Sequence, residues 1–378
     1  MNVTRLRDTF ARVATHGGDT IALHFYSDLF LKHPEVRDLF PVSMAVQRDH
    51  LIGALVKIVA EADRADTLTP YLQHLGRAHR KFGTLAAHYP AVGASLLATL
   101  EHFTGEAWTP EAAQDWAEAY ELIAKLMCDA AAEDEKHAPA WWQGTVQSGE
   151  QRAYDITVLH VAVDPSGPPL EWLPGQSLAV ETPARPRLWR YYSPANPPCG
   201  NGTLEFHVRW VDGGQVSPAL AGLNPGDGLR IGPPAGVMTL DAESGRDVVM
   251  AAWSTGLAPL KAILGQVAES QFAPHPPAVH LFVGARRAEG LYDMPALEKI
   301  AARCPWLTLT PVVADSHGYP GETGRMAEVI ARRGPWADRD AYLAGPGGMV
   351  RDTTVALTSG GMPPERVRSE DFGWSSEQ

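Results

Sequence analysis

Three groups of residues have the types and spacing to do chemistry. The first centres on a histidine. His79 lies in HLGRAHRKFG, with Leu75 and Phe82 as helical neighbours. Tyr26 in HFYSDLF, Phe40 in RDLFP, and Gln47 with Leu51 in VQRDHLIGAL precede it; Tyr89 in AAHYPAVG and Glu133 in AAAEDEK follow. Most of the chain's fourteen histidines need no special function. An imidazole in this company is a candidate metal ligand. The second group is Arg190-Tyr191-Tyr192-Ser193, preceded by Pro174-Gly175-Gln176 and followed by Gly213-Gly214-Gln215-Val216-Ser217. A guanidinium fork matches phosphate oxygens, and glycine lets backbone N–H groups approach them closely. The third is Ala252-Trp253-Ser254-Thr255-Gly256-Leu257-Ala258-Pro259, between an apolar run and a helical one. The bare N–H groups of a helix start favour a pyrophosphate.

Different elements must position each group. Residues 1–138 hold five of the 31 prolines and seven of the 35 glycines; the other 240 residues hold 26 and 28. The first part therefore reads as helices and the rest as strands joined by turns. Helical period shows at Ile21, Leu23, Phe25, Leu29 and Phe30, at Leu51, Leu55, Ile58 and Val59, and at Leu96, Leu97 and Leu100. A last helix is expected from about Pro110 to Ala132. Trp141 to Glu150 looks like a connector. Alternating runs at Tyr154–His160, Leu178–Val180 and Leu204–Trp210 then predict a small antiparallel barrel up to about residue 238. From Asp247 onward, strand and helix alternate as in a parallel sheet with crossover helices. The expected domains are 1–138, 150–238 and 245–378. The fold class is multidomain: all-α, then antiparallel β-barrel, then α/β parallel sheet.

Residues 1–138 resemble the globin domain of bacterial flavohaemoglobins. The resemblance makes His79 the proximal ligand of a haem b, Tyr26 and Gln47 the distal polar pair, Leu51 the apolar distal wall and Phe40 the ring on the porphyrin. Tyr89 and Glu133 match the pair that hydrogen-bonds the proximal imidazole, which would fix its tautomer and make it more basic. Ala78 stands where the family usually has lysine.

The second group is similar to the FAD domain of the ferredoxin-reductase superfamily, whose signature is Arg-x-Tyr-Ser. That implies Arg190 on the FAD pyrophosphate, Tyr192 against the isoalloxazine, Ser193 near flavin N5, and backbone N–H groups from Gly214, Gln215, Val216 and Ser217 around phosphate. Phe372 matches the aromatic cover of the flavin, with Glu370 a carboxylate near it. The third group resembles the NAD(P)-binding module of the same reductases, where Thr255 and Gly256 match and Trp253 and Ser254 replace two glycines. Arg286 or Arg287 would meet an adenosine ribose or its 2′-phosphate. Ala344 stands where the family has cysteine, which implies slower flavin reduction.

The resemblance spans nearly the whole chain and implies a nitric oxide dioxygenase. Reducing equivalents would run from NAD(P)H through FAD to haem, and O2 and NO would become nitrate. The alternatives are an NAD(P)H-dependent haem/flavin reductase or peroxidase, and an O2- or redox-sensing globin. Composition bounds the partners. The 378 residues are 45% apolar and 20% charged with net charge −12, and no basic block suggests nucleic acid. Three cysteines, far apart, rule down a disulfide framework and suit a reducing cytoplasm. The N-terminus shows no apolar signal core, and no apolar stretch reaches the ~18 residues of a membrane span. The expected partners are O2 and NO, with the protein a monomer or weak dimer and not inserted in a membrane.

Overall fold

The computed structural model describes residues 1–269, 276–315 and 318–371, in two compact units divided between Ala140 and Trp141. The first unit is helical: α1 (Val3–Gly17), α2 (Thr20–Lys32), α3 (Ala45–Ala60), α4 (Ala65–His79), α5 (Tyr89–Thr104) and α6 (Pro110–Glu135). Two helix starts are encoded locally. The Asn2 side chain accepts the Arg5 amide, and the Thr109 hydroxyl, just before Pro110, accepts the Ala112 amide, both at 3.2 Å. Leu6, Phe10, Phe25, Leu29, Leu96, Leu100 and Trp116 are buried together as the core. One close approach positions the end of α4. A Cβ on Gly76 would collide with the backbone carbonyl of Met127 on α6. Only glycine lets the two helices cross so tightly, one turn before His79.

The second unit begins with strands where a connector was expected. β1 runs Trp142–Ala153, followed by β2 (Ile156–Val163), β3 (Ser177–Glu181), β4 (Arg190–Tyr192), β5 (Thr203–Arg209), the short helix α7 (Ser217–Ala221) and β6 (Gly228–Ala235). Their order is β4-β3-β6-β1-β2-β5, with antiparallel neighbours. A bridge from Pro194 to Phe206 joins the two ends and closes the sheet into a barrel.

The remainder is a parallel sheet with crossover helices: β7 (Val248–Trp253), α8 (Leu257–Ala268), β8 (Val279–Ala285), α9 (Met294–Ala301), β9 (Leu307–Val313), β10 (Glu322–Thr323), α10 (Met326–Arg333), β11 (Asp340–Gly345), α11 (Gly347–Ser359) and β12 (Val367–Asp371). The order β10-β9-β8-β7-β11-β12 reverses between β7 and β11. In such sheets ligands lie beyond the carboxyl ends of the strands at that reversal. Both faces are covered, which explains the unbroken apolar run in β7. Val248, Met250 and Ala252 pack with Leu260, Ile263 and the barrel residues Ile156 and Val158; Val249 and Ala251 pack with Val329, Ile330 and Leu357. Among the described residues, no helix is long and apolar enough to cross a membrane.

A charged network also joins the barrel to the parallel sheet. Lys261 on α8 reaches Glu205 of β5 at 2.8 Å and Asp293 at 2.7 Å, and Arg152 of β1 pairs with Asp293. The fully buried His207 bonds Glu205 at 2.7 Å and the Tyr292 hydroxyl at 2.6 Å. Against the opposing effect of burial, hydrogen bonds from His160 and His207 and the Lys261 charge hold the Glu205 carboxyl far below its ordinary range.

Two predictions follow from this packing. Gly76→Ala should lower the melting temperature of the full chain by several degrees, a loss of about 1–3 kcal/mol from overpacking; an unchanged melt would remove the α4–α6 crossing as the cause. Separately, burial and the nearby Arg339 and Arg333 lower the pKa of His280 to about 4. Its ordinary value is 6.5, so the unfolded chain takes up the proton first as pH falls. The stabilisation is complete above pH 6.5 and drains away toward pH 4. Melts at the two pH values should show His280→Gln losing about 1–2 kcal/mol less than the parent over that window, after allowance for solvent screening. Equal losses would refute the assignment.

Candidate functional site

His79 ends α4, and its ring is held by its own helix. Nδ1 lies 2.7 Å from the Leu75 carbonyl. A carbonyl only accepts, so Nδ1 carries the proton and Nε2 has a bare lone pair. Burial pushes the imidazole pKa down, and the nearby Lys81 charge adds to that. Among the described residues no hydrogen bond reaches Nε2. A half-buried imidazole with one nitrogen fixed and the other unpartnered fits a ligand to haem iron.

The distal residues form one cluster. The Tyr26 hydroxyl on α2 donates to the Gln47 backbone carbonyl at 3.3 Å. Burial raises the phenol to about 12, and a hydrogen bond with the Gln47 side chain partly offsets this. Phe40 stands edge-on to Tyr26 at 5.5 Å between ring centres, and Phe30 lies at 5.7 Å. Leu51 is half-buried one turn beyond Gln47 and packs on the same core.

Of the expected proximal pair, the structure places Glu133 elsewhere. Glu133 is exposed and bonds Lys136 at 2.6 Å and His137 at 3.2 Å; it does not bond His79. The Tyr89 backbone carbonyl accepts from the Tyr120 hydroxyl at 2.6 Å, and burial raises the Tyr89 phenol to about 12. The tautomer is fixed by Leu75 instead. The helical period explains the miss. With Met127 facing α4, Glu133 is turned ~240° away, while Asp134 returns to that face. Asp134 pairs with Arg80, next to His79. Helical spacing counted from Met127 could have found it. Lys81, buried two residues after His79, was also missed; it supplies a cation near the imidazole where Ala78 had suggested none.

In the barrel, Arg190 at the start of β4 donates to the Trp189 carbonyl at 2.9 Å. Burial lowers its pKa, and among the described residues no carboxylate pairs with it. A half-buried guanidinium of this kind suits a diphosphate. Tyr192 pairs with Leu178 across the β3–β4 ladder, and burial raises its phenol. The buried Ser193 hydroxyl donates to Glu370 of β12 at 3.0 Å. Burial raises the Glu370 carboxyl, against hydrogen bonds from Ser193 and Ser177. Ser177 carries no motif in the sequence and was missed. Of the expected phosphate cradle, the Gly214 amide is already used, donating to Val211 at 3.0 Å. Among the described residues no backbone bond takes the amides of Gln215, Val216 and Ser217, which open α7.

The third group sits at the sheet reversal. Ser254 takes a left-handed backbone (φ 54°), the conformation glycine would adopt without strain. The Trp253 ring lies over Gly284. A Cβ on Gly256 would collide with the Ala344 carbonyl, so Gly256 serves close packing of α8 on β11. Ala344 is fully buried. Thr255 is half-buried beside them. Arg286 is exposed and paired with Asp315 at 3.3 Å. Phe372 lies outside the described residues.

Comparison with known proteins agrees with this geometry. Family models match the chain as a globin over residues 23–127, an oxidoreductase FAD-binding domain over 143–239 and an oxidoreductase NAD-binding domain over 250–354. A flavohemoprotein of Bordetella parapertussis is 30% identical over 394 residues, covering 96% of this chain and 96% of that protein. One of Bacillus subtilis is 26% identical over 381 residues, covering 94% and 93%. The crystal structure of flavohemoglobin from Malassezia yamatoensis with bound FAD and heme has a TM-score of 0.76 at 17% identity, over 98% of this chain and 99% of its own. The flavohem-like FAD/NAD-binding domain of nitric oxide dioxygenase from Vibrio cholerae has a TM-score of 0.54 at 23% identity, over 61% of this chain and 98% of its own. The last two show a shared fold.

His79→Ala should abolish the Soret band of the purified protein and leave the flavin absorbance, whereas Glu133→Ala should leave both. Normal haem absorbance in the first variant, or its loss in the second, would reverse the proximal assignment.

Proposed function

The chain belongs to the flavohemoprotein family, and we propose that it is a nitric oxide dioxygenase fed by NAD(P)H through FAD, converting NO, O2 and one electron to nitrate. The observation that carries this reading is the buried Tyr26 phenol held beside Gln47, in the same helical unit as an imidazole with a bare Nε2. The Vibrio cholerae domain named for that activity shares the fold of the reductase half.

When bound, haem supplies the place where O2 and NO react, and FAD with NAD(P)H supplies the electrons. The chain's residues do the rest. His79 holds haem through Nε2, while Leu75 keeps the ring oriented and Nδ1 protonated. Tyr26 and Gln47 offer donors to developing negative charge on the opposite side. Phe40 and Leu51 keep that side apolar. Arg190 and the amides of Gln215, Val216 and Ser217 hold the FAD pyrophosphate. Tyr192 would pack on the flavin, and Glu370 orients the Ser193 hydroxyl that would serve it. Thr255 and Gly256 form the nicotinamide-nucleotide turn.

The proximal geometry favours this reading over a peroxidase. A carboxylate on Nδ1 would make the imidazole more electron-rich and push toward O–O cleavage. The Leu75 carbonyl is a weaker acceptor than a carboxylate and leaves the ring less electron-rich. Tyr26 on the distal side would then carry more of the substrate's charge stabilisation.

Aerobic removal of NO, dependent on NAD(P)H and yielding stoichiometric nitrate, is expected. If NO persists while the nucleotide is oxidised at the same rate, the dioxygenase reading is wrong. In the same protein Tyr26→Phe should speed O2 release roughly ten- to a hundred-fold, the worth of one buried hydrogen bond. Stopped-flow release at the parent rate would remove Tyr26 from its role.

A further inference from the structure

In the helical unit α2 packs on α5, and each presents a histidine to the other. The rings of His24 and His102 are stacked, 4.3 Å between centres with 14° between their planes. Phe103 stands edge-on to both, 5.6 Å from His24 and 4.8 Å from His102. Electron transfer and haem ligation use neither imidazole.

The hydrogen bonds around His24 fix its tautomer. The buried Thr99 hydroxyl donates to the Ser95 carbonyl at 2.8 Å. Its proton is spent there, so toward His24 Nδ1 at 3.0 Å it accepts. Nδ1 therefore carries the hydrogen and Nε2 a bare lone pair. Among the described residues no hydrogen bond reaches Nε2 of His24 or either nitrogen of His102. Burial lowers the His24 pKa, and the neighbouring His102 adds to this; Asp28 opposes it, and Lys32 on that carboxylate lowers it further.

Ligating imidazoles take this form, one nitrogen held by an oxygen and the other open. Imidazole suits borderline divalent ions such as Zn2+, Ni2+ and Cu2+ rather than Mg2+ or Ca2+. Two imidazoles on one tetrahedral zinc, each at about 2.0–2.1 Å, have their nitrogens roughly 3.3 Å apart. Rings stacked at 4.3 Å reach that spacing by small turns, and His102 is exposed and free to make one. By contrast, the group Glu205, His207 and Asp293 already holds a cation, the Lys261 ammonium.

We propose that His24 and His102 form a binding site for a divalent transition ion of the zinc class, which ties α2, the helix that carries Tyr26, to α5. Water completes the coordination. The inference stands apart from the nitric oxide reading.

The test is calorimetric titration of the intact holoprotein with Zn2+, alongside His24→Gln, His102→Gln and Thr99→Val. The parent should bind one equivalent that depends on both histidines. Thr99→Val removes the acceptor on Nδ1 and should weaken that equivalent about 10–100-fold; loss of either imidazole should cost more. In melts followed at the haem band, Zn2+ should raise the midpoint of the parent and of neither histidine variant, and Mg2+ should move none of them. A parent without such an equivalent, full uptake of it by His102→Gln, or an equal shift with Mg2+ overturns the proposal. Loss of nitric oxide removal leaves it standing, because none of these readouts involves turnover.

Discussion

A half-buried imidazole that spends its Nδ1–H on a carbonyl of its own helix leaves the Nε2 lone pair open to a ligand. The rest of that unit serves this constraint. Gly76 lets α4 press against α6 and fixes where His79 ends its helix. Tyr26, Phe40 and Gln47 collect on other elements as the second wall. Burial lowers the pKa of the His79 imidazole and raises that of the Tyr26 phenol, which favours the neutral form of each.

The reductase unit depends on a different device. Its barrel and its parallel sheet share apolar side chains from Ile156 and Val158 through Leu260 and Ile263, and Lys261 sits between acids of both halves. Arg152 is the second cation on Asp293, and His160 and His207 share Glu205 with that ammonium. The turn after β7 thereby lies against β5 of the barrel.

Much of this was legible in the sequence, and the exceptions have physical reasons. The helical period of α2 and α3 and the strand–helix alternation after Asp247 reflect burial on one stripe or on two faces, which composition records directly. The first half of β1 was taken for a connector because Gly144 occupies an inward position where an apolar residue would have shown the alternation. The resemblance put Glu133 on the proximal side, but helical phase decides which acid of that run turns inward. The Arg190 and Ser193 motif was readable because a chemical task fixes its residue types. Ser177 was not, since a serine beside Glu370 depends on how two distant strands are aligned.

β12 is the last strand of the sheet, paired in parallel with β11 from Val367 to Asp371. It also delivers the Glu370 side chain to Ser193, 177 positions upstream. A single edge strand thus joins the parallel sheet to the barrel through a side chain, as well as extending the sheet through its backbone.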